Sequence, residues 1–542
     1  MDAFNQPPPL EPYNLFATDR ILCAGVDREG ADWAADGLRH LGGTLGTPDT
    51  VQLGFEANTN APRLRSFDRF GNRLDEVEFH PAWHSLLGLA VSSGLHSGPW
   101  ANPRKGAHVA RAAGTFMLVQ IESGVYCPLA MTYGSIPTLR RSAAIADEWL
   151  PRIFSTQYDK SSQPASRKTS ALIGMAMTER QGGSDLRTNE TEAVAAGSHF
   201  ALNGHKWFMS APMCDAFLVL ARQADGLSCF FVPRWTPDGT RNAIHIQRLK
   251  DKLGNRSNAS AEVEFASAHA QLVGEPGRGI RTIIEMSNYT RLDCTIGSAG
   301  LVRQAVAQAI HHASHRTAFQ RRLADQPIMM NVLADLAVES EAATMLALRL
   351  ARAYDEDSEA AHAFRRIVTP AAKFWVCKRA PFLAYESLEV LGGNGYIEES
   401  VLPRIYRELP VNAIWEGASN VMCLDVCRAL SQLGAAADSI VDEISEAAHA
   451  DRRLNEFVSG LQRRLARAGA QDESASRALV RDVVLAVQAA LLVKFSTPQV
   501  ADAFCGSRLG GDFGVMGTLP SGHDFRAIIE RAAPTAVAGK PV

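Results

Sequence analysis

One decapeptide of this sequence places a single carboxylate among neutral residues. In "AIWEGASNVM" (413–422), Glu416 stands between Trp415 and Gly417 and carries the only charge. Such a carboxylate is either an ordinary surface group or a desolvated base in a buried site. Burial disfavours the charged form and raises a carboxyl pKa towards neutrality, where the group removes protons from weak acids more effectively. The stretch therefore supports the hypothesis of a general base at Glu416.

Two other motifs have residue types that suit a large, flat ligand. "MTERQGGSD" (177–185) offers the hydroxyls of Thr178 and Ser184 beside two glycines, which allow close approach of the backbone. "GHKWFMSAP" (204–212) places two aromatic residues beside Ser210. Both motifs are also compatible with ordinary turn and strand packing, and their residues alone leave the two interpretations open.

A glycine-rich turn and a histidine pair are weaker signals. "LGGNGY" (391–396) could cradle phosphate oxygens with its backbone N–H groups or simply end a helix. "HPAWH" has His80 and His84 at a spacing that can hold zinc, but the metalloprotease motif needs Glu where this chain has Pro81. We therefore predict no metal site.

Arginines near the C-terminus repeat at a helical interval. Arg452 and Arg463, like Arg453 and Arg464, are eleven positions apart, which returns to nearly the same helix face, and Arg467 follows them. On a continuous helix these arginines would form a basic stripe. However, the chain from Asp438 onward has 12 Lys and Arg against 13 Asp and Glu. A solvated helix face is the alternative.

Composition bounds the class of protein. A chain of 542 residues with 46% hydrophobic and 21% charged residues folds into two to four domains. A net charge of −3 excludes a generally basic nucleic-acid-binding protein.

The nine cysteines are scattered without a CxxC pair, which favours a reducing compartment. With no signal peptide and no apolar run of about 20 residues, we expect a cytoplasmic protein that does not enter a membrane.

Hydrophobic periodicity divides the chain into helical and strand-rich parts. "AEVEF" alternates with period two, and similar short runs fill the following domain, 171–280. Further on, Val302, Val306, Ile310 and Ala313 keep a helical spacing, with Arg303, Gln304 and His311 off that face. We predict an N-terminal helical domain (1–170), a middle β domain (171–280), a helical bundle (281–434) and a C-terminal helical extension (435–542).

The order of the motifs is more specific than any one of them. "MTERQGGSD", "KWFMSA", "LGNRSNASAEVEF", "TRLDCTIGSAG", "HRTAF", "LGGNGY" and "WEGASN" follow one another across residues 80–430. In this order the chain resembles the acyl-CoA dehydrogenase flavoprotein family. The resemblance implies an α+β multi-domain fold with an N-terminal helical domain, a middle β-barrel-like domain and a C-terminal helical bundle, assembled as a homotetramer.

The resemblance also implies a cofactor, FAD, and roles for particular residues. Glu416 would remove the α-proton of an acyl-CoA thioester while hydride leaves the β-carbon for the flavin. Arg291 and Arg428 match positions near the substrate. The residues implied in FAD binding are Met177, Thr178, Ser184, Phe208, Met209, Ser210, Arg316, Gln326, Gly392, Gly393, Trp415 and Asn420. Arg316, Gln326 and the glycine turn would reach the FAD of a neighbouring subunit.

"EFHPAWH", "CPLAMTYG", "VTPAAKF" and the extra C-terminal region are similar to the AidB branch of this family, the alkylation-response flavoproteins of bacteria. This resemblance implies weak, isovaleryl-CoA-like dehydrogenase activity, binding of double-stranded DNA through the C-terminal domain and protection against alkylation damage. The alternative is a catabolic dehydrogenase of a short or branched acyl-CoA that passes electrons to an electron-transfer flavoprotein. Two departures from the family pattern are Gln320, where Gly is usual, and Ala418, where Thr often contacts flavin.

Overall fold

A computed structural model describes residues 4–433, 438–465, 473–510 and 514–534. The chain divides into two compact units. One, here called the helical unit, comprises residues 1–48, 104–120 and 291–542; the other, the β unit, comprises 49–103 and 121–290.

Helices dominate both ends of the chain. Up to residue 153 the elements are α1 (Arg20–Arg28), α2 (Ala35–Leu45), α3 (Pro48–Thr59), β1 (Arg63–Phe67), β2 (Arg73–Glu78), α4 (Pro81–Ser92), α5 (Gly98–Ala101), α6 (Ala107–Ile121), α7 (Tyr126–Leu139) and α8 (Ala143–Ile153). The strands that follow are β3 (Ile173–Ala176), β4 (Glu192–Ala196), β5 (His199–Ser210), β6 (Ala216–Gln223), β7 (Gly226–Pro233), β8 (Ile244–Leu249) and β9 (Ser260–Val273).

The remaining elements are almost all helical. They are α9 (Gly279–His315), β10 (Thr317–Ala318), β11 (Arg321–Arg322), α10 (Pro327–Asp355), α11 (Glu359–Val390), α12 (Gly393–Tyr396), α13 (Val401–Asn412), α14 (Ser419–Leu433), α15 (Asp438–Ala448), α16 (Arg452–Leu465), α17 (Ser476–Phe495), α18 (Pro498–Arg508) and α19 (Phe525–Ala532). No helix among the residues that the structure describes is long and apolar enough to cross a membrane.

The β unit is built on one sheet that closes on itself. In the described part of the chain, seven strands pair in the order β3-β6-β4-β5-β9-β7, with β8 also on β9, and β6 pairs with β7 to close the ring. Residues 216–221 of β6 are all buried, whereas β9 alternates between buried and exposed positions over much of its length. A strand buried on both faces reads as a continuous apolar run, and a half-exposed one alternates. The predicted barrel-like β domain is confirmed.

The helical unit is organised around α10, whose residues 333–351 are buried on every side. Three carboxylates in that stretch are bound by arginines: Asp335 by Arg508, Glu339 by Arg379 and Arg508, and Glu341 by Arg531. Buried charges persist only when paired, so these contacts stabilise one arrangement of the helices. Because Arg508 lies in α18 and Arg531 in α19, the C-terminal helices are anchored to the core of the unit.

The predicted core face of α9 is also buried, and so are two residues beside it. Arg303 donates from Nε to Asp19 Oδ2 at 2.8 Å, and Tyr13 donates its hydroxyl proton to Gln304 Oε1 at 2.7 Å. Their burial follows from polar partners supplied by the N-terminal segment, which the helical spacing could not indicate.

Candidate catalytic and cofactor-binding residues

The loop between α13 and α14 holds Glu416 in an unusual backbone conformation. Its φ is +59°, and that of Gly417 is +106°. Glycine adopts positive φ freely, but for other residues a left-handed conformation costs about 1–3 kcal/mol and persists only where the surroundings impose it. A Cβ at Gly417 would lie 2.4 Å from Met422 Cε, which is the movable end of a flexible side chain, so the positive φ is the main reason for the glycine of the "WEG" motif.

Two buried cations impose that conformation. Arg291 Nε donates to the carbonyl oxygen of Glu416 at 3.0 Å, and Lys373 Nζ donates to the carbonyl oxygen of Gly417 at 2.8 Å. The exposed fractions of Arg291 and Lys373 are 6% and 1%. Consecutive carbonyls are therefore held by long side chains from α9 and α11, which positions the Glu416 backbone.

Asp425 forms ion pairs with three guanidinium groups close to this loop. Arg291 Nη1 lies 3.1 Å from Asp425 Oδ2, while Arg366 and Arg428 lie 2.9 and 3.7 Å from Oδ1. Arg291 is thus a positioning residue for the loop, and the Arg428 side chain is 62% exposed. The substrate contacts expected of these two arginines stay predictions.

The Cys294 thiol lies within electrostatic reach of Glu416. Burial raises the pKa of Cys294 well above its ordinary value, and the negative charge of Glu416 is among the smaller effects that raise it further. Burial also raises the pKa of Cys377, which accepts a hydrogen bond from Ser298 Oγ at 3.3 Å. Both cysteines therefore remain neutral thiols at the pH of the cell.

In the β unit, backbone pairing brings the two predicted flavin motifs together. The N–H of Trp207 donates to the carbonyl of Thr178 at 2.8 Å. The register of β5 against β9 shifts between Lys206 and Met209, so Trp207 and Phe208 lie in a bulge. Bulges re-aim side chains near sites, and Phe208 is 47% exposed here.

The other predicted residues of this unit differ in exposure. Ser184 is exposed, Met177, Thr178 and Ser210 are half-buried, and Ser210 Oγ lies 3.4 Å from Ser260 Oγ. Met209 is completely buried, so its side chain serves the core and only its backbone remains for a ligand.

A buried ion pair fixes the same loop to β5. Lys206 Nζ lies 2.6 Å from Glu179 Oε1, with both side chains fully buried. Burial alone would raise the pKa of Glu179, but the Lys206 ammonium and backbone N–H donors outweigh it and lower that pKa to about 2. Burial lowers the pKa of Lys206 to about 8 despite its carboxylate partner.

Arg316 and Gln326 flank the β10–β11 hairpin. Arg316 Nη1 donates to the Asn5 carbonyl at 2.6 Å, and Gln326 Nε2 donates to the Ala318 carbonyl at 2.9 Å. The turn residues Phe319 and Gln320 have φ of +49° and +62°. A two-residue turn with positive φ at both positions favours glycine, which accounts for the glycine that the family usually has at position 320.

The remaining predicted cofactor residues lie on the connections around α12, α13 and α14. Gly392 has a φ of +62° and precedes α12, and both Gly392 and Gly393 are exposed. Asn420 Oδ1 accepts a hydrogen bond from Arg477 Nε at 2.9 Å. The indole nitrogen of Trp415 is buried and has no hydrogen-bond partner among the described residues.

Of the arginines predicted to form the basic stripe, only some are exposed and could bind an external anion. Arg453 pairs with Asp451 and Asp502, and Arg464 pairs with the buried Asp482. Arg452 and Arg463 are exposed on α16, with Glu456 3.7 Å from the first. Arg467 lies outside the described residues.

The histidine pair has structural roles. His80 caps α4 by accepting the N–H of Ala82 at 3.3 Å, and His84 Nδ1 lies 2.8 Å from the Tyr158 hydroxyl. The described ranges contain no group of three or more His, Cys, Asp or Glu side chains placed to hold a metal ion.

Comparison with known proteins identifies the class. A sequence model of the adaptive response protein AidB N-terminal domain matches residues 5–160, and those of the acyl-CoA dehydrogenase middle and C-terminal domains match 174–268 and 277–431. The chain belongs to the acyl-CoA dehydrogenase family of FAD-containing oxidoreductases. Within this family, it is 47% identical over 508 residues to AidB of Escherichia coli (strain K12), covering 93% of each chain. The predicted family and branch are confirmed.

Solved structures agree with the fold. ACDH-11 of Caenorhabditis elegans, in complex with C11-CoA, superposes with a TM-score of 0.84 at 25% identity and covers 99% of this chain and 93% of its own. An acyl-CoA dehydrogenase of Bacillus anthracis complexed with FAD has a TM-score of 0.65 at 21% identity, covering 78% and 80%. The predicted fold class is confirmed.

Sequence reasoning missed four residues that hold these motifs in place: Glu179, Lys206, Lys373 and Asp425. Lys373 lies in a stretch of α11 that is otherwise buried, whereas the neighbours of Lys206 on β5 are half-buried. A lysine at a core position is rarely buried without a partner, and that was the available signal.

Proposed function

We propose that this protein oxidises an acyl-CoA thioester, with Glu416 as the base that removes the α-proton. Bound FAD would supply the acceptor for the hydride that leaves the β-carbon. The observation that supports this role is the left-handed Glu416 backbone, held by Arg291 and Lys373 through adjacent carbonyls. Such strain at a single carboxylate is typical of catalytic positions.

The residues present fit an FAD. Thr178, Ser184 and Ser210 supply hydroxyls, and the bulge at Phe208 leaves an aromatic ring exposed. The buried Trp415 indole N–H, without a partner in the described chain, is a donor that a bound cofactor would satisfy. Arg316, Gln326, Gly392, Gly393 and Asn420 are proposed to complete the contacts.

Replacing Glu416 tests the mechanism. Glu416→Gln keeps the shape of the side chain and removes the base, so we expect flavin absorbance to persist while acyl-CoA turnover falls about 10³-fold or more. Glu399→Gln, at an exposed position, is the matched control and should retain full turnover. Full activity of the Glu416 variant would remove this residue from the mechanism.

For the substrate, we propose a short or branched, isovaleryl-like acyl-CoA turned over weakly, with an electron-transfer flavoprotein as acceptor. Sequence similarity to the AidB branch supports this class. Anaerobic titration with a panel of acyl-CoAs should bleach the flavin band at ~450 nm, and the extent should rank the chains. A yellow protein that none of them bleaches would contradict this proposal.

A second proposed role is binding of double-stranded DNA and protection against alkylation damage. Two exposed arginines eleven positions apart on α16, Arg452 and Arg463, support it. Since Arg453 and Arg464 are engaged by aspartates, we assign the phosphate contacts to the first two. Arg467 stays a proposed contact from the sequence alone.

Double charge-reversal variants distinguish the two exposed arginines from the two that are paired with aspartates. Arg452→Glu with Arg463→Glu should weaken DNA binding at least tenfold and lower the slope of log affinity against log salt by about 2, because phosphate contacts release counterions. Arg453→Glu with Arg464→Glu should mainly lower the unfolding temperature. Arg63→Glu with Arg69→Glu, exposed in the β unit, is the charge-matched control. DNA affinity unchanged in the first variant would overturn the assignment.

Assembly into a homotetramer in the cytoplasm completes the proposal. Exposed apolar side chains support an interface in the helical unit: Phe319 is 92% exposed, Ile328 84% and Tyr396 79%. Asn5 bonds the backbone of Thr317, and the next residue, Gln6, accepts from Asn394, so one short segment links the flanks of this apolar set.

A further inference from the structure

A pocket of about 190 Å³ lies in the helical unit among α1, α10, α11, α15 and α17. None of its wall residues belongs to the set assigned above to FAD, substrate or DNA. Its apolar wall consists of Phe364, Ile440, Ile444, Val487, Leu491 and Phe495. Ligand sites for larger molecules measure roughly 300–1,000 Å³, so this one suits a small molecule.

Arg349 is a largely buried charged group of the pocket wall. Its side chain is only 9% exposed, and its guanidinium lies 4.0 Å from the centroid of the Phe364 ring. Nε and Nη2 donate to the two oxygens of Glu443 at 2.7 and 2.6 Å. The third nitrogen, Nη1, is buried without a hydrogen-bond partner in the described chain. An unsatisfied buried donor costs about 1–3 kcal/mol and calls for a ligand.

Arg28 adds a second donor of the same kind. Nε donates to Glu29 Oε1 at 2.7 Å, and the guanidinium lies 4.9 Å from the centroid of the Phe495 ring. Its Nη2 is buried and unpartnered within the described residues. Among the described residues, two arginines of the pocket wall thus each keep one N–H group without a hydrogen-bond partner.

Every carboxylate of the wall is already occupied by a cation. Glu29 is held by Arg28 and Arg352, Glu443 by Arg349, and Glu446 by Lys494. Arg352 is itself neutralised by Glu356, outside the wall. The charges of the wall therefore cancel, and the groups left unsatisfied are guanidinium N–H donors, which select a ligand with oxygen acceptors.

We propose that this pocket is a second ligand site, which binds a small carboxylate with an apolar body. Planar guanidinium groups match carboxylate oxygens, and the Phe, Ile and Leu side chains receive the apolar part. A dianionic phosphate suits the site less because two N–H groups would have to balance two buried charges. Binding joins α1 and α10 to α15 and α17, so it stabilises the docking of the C-terminal helices.

Calorimetric titration of the full-length, FAD-loaded protein with benzoate, phenylacetate and isovalerate tests the proposal. At least one should bind saturably, raise the unfolding temperature and persist with saturating acyl-CoA, whereas benzamide and inorganic phosphate should not bind. No saturable binding by any of the three, competition by acyl-CoA or preference for phosphate would overturn it.

Two independent variants locate the binding. Arg28→Gln removes a donor, and Ala490→Met fills the pocket without changing charge; each should weaken binding at least tenfold with FAD content and turnover unchanged. Arg352→Gln, whose parent side chain lies on the same wall with both partners in place, is the control and should change affinity less than twofold. Affinity that survives Ala490→Met in a folded, yellow protein would place the ligand elsewhere.

Discussion

At the scale of single residues, the backbone of the proposed base is held by cations that do not need to contact substrate. Arg291 and Lys373 hold the backbone of Glu416 and Gly417 rather than their side chains. A glutamate seldom adopts a left-handed conformation by itself, so the neighbours of Glu416 set the orientation of the proposed base.

Removing the lysine should therefore reduce turnover without loss of cofactor. Lys373→Met leaves the Gly417 carbonyl without its donor, and we expect kcat to fall about 10- to 100-fold while KM changes less than twofold. Lys378→Met, at an exposed position of the same helix, should behave like the parent protein. Steady-state kinetics with flavin content measured in parallel decides the matter. Equal losses in both variants would assign Lys373 a general structural role.

At the scale of elements, the Glu179–Lys206 pair joins the loop after β3 to strand β5. The Glu179 carboxylate also accepts the backbone N–H groups of Glu190 and Thr191 at 2.6 and 3.2 Å. Three segments thus meet at one buried carboxylate, which keeps Thr178 beside the bulge at Phe208.

This pair makes stability depend on acid pH. Because folding lowers the pKa of Glu179 from 4.5 to about 2, its contribution is complete above pH 4.5 and is lost as pH falls through 2. Glu179→Gln should cost about 3 kcal/mol at neutral pH, and its difference from the parent should shrink between pH 4.5 and 2.

Thermal unfolding followed by flavin release measures this difference across that pH range. Glu192→Gln, exposed on β4, is the matched control and should shift stability by less than about 0.5 kcal/mol. A constant difference between parent and Glu179→Gln at all pH values would contradict the linkage.

At the scale of the whole molecule, an apolar surface in the helical unit favours assembly. Ile328 at the start of α10 is 84% exposed, near the hairpin that carries Phe319. Single exposed apolar residues are normal, but a set on adjoining segments marks an interaction surface.

A charge at this surface should break the proposed tetramer. Ile328→Glu is expected to yield smaller species by light scattering and to release FAD, because Arg316 and Gln326 are proposed to reach the neighbouring subunit's cofactor. Val194→Glu, 54% exposed in the parent β unit, should leave assembly intact. A tetramer that survives Ile328→Glu would exclude this surface, and a monomeric parent protein would exclude the assembly.

The sequence by itself determined the family, the order of domains and the position of the lone carboxylate Glu416. Motif order and hydrophobic periodicity depend only on residues that are close together in the sequence. Gln320 lies beyond that limit, because the sequence marked it only as a departure from the family's glycine and its positive φ became evident in the structure. Only the tertiary structure decided which arginines of α16 remain exposed and unpaired enough to contact DNA. Arg453 and Arg464 share the spacing of Arg452 and Arg463, yet aspartates distant in sequence neutralise them. Ion pairing depends on long-range packing, which helical periodicity does not record.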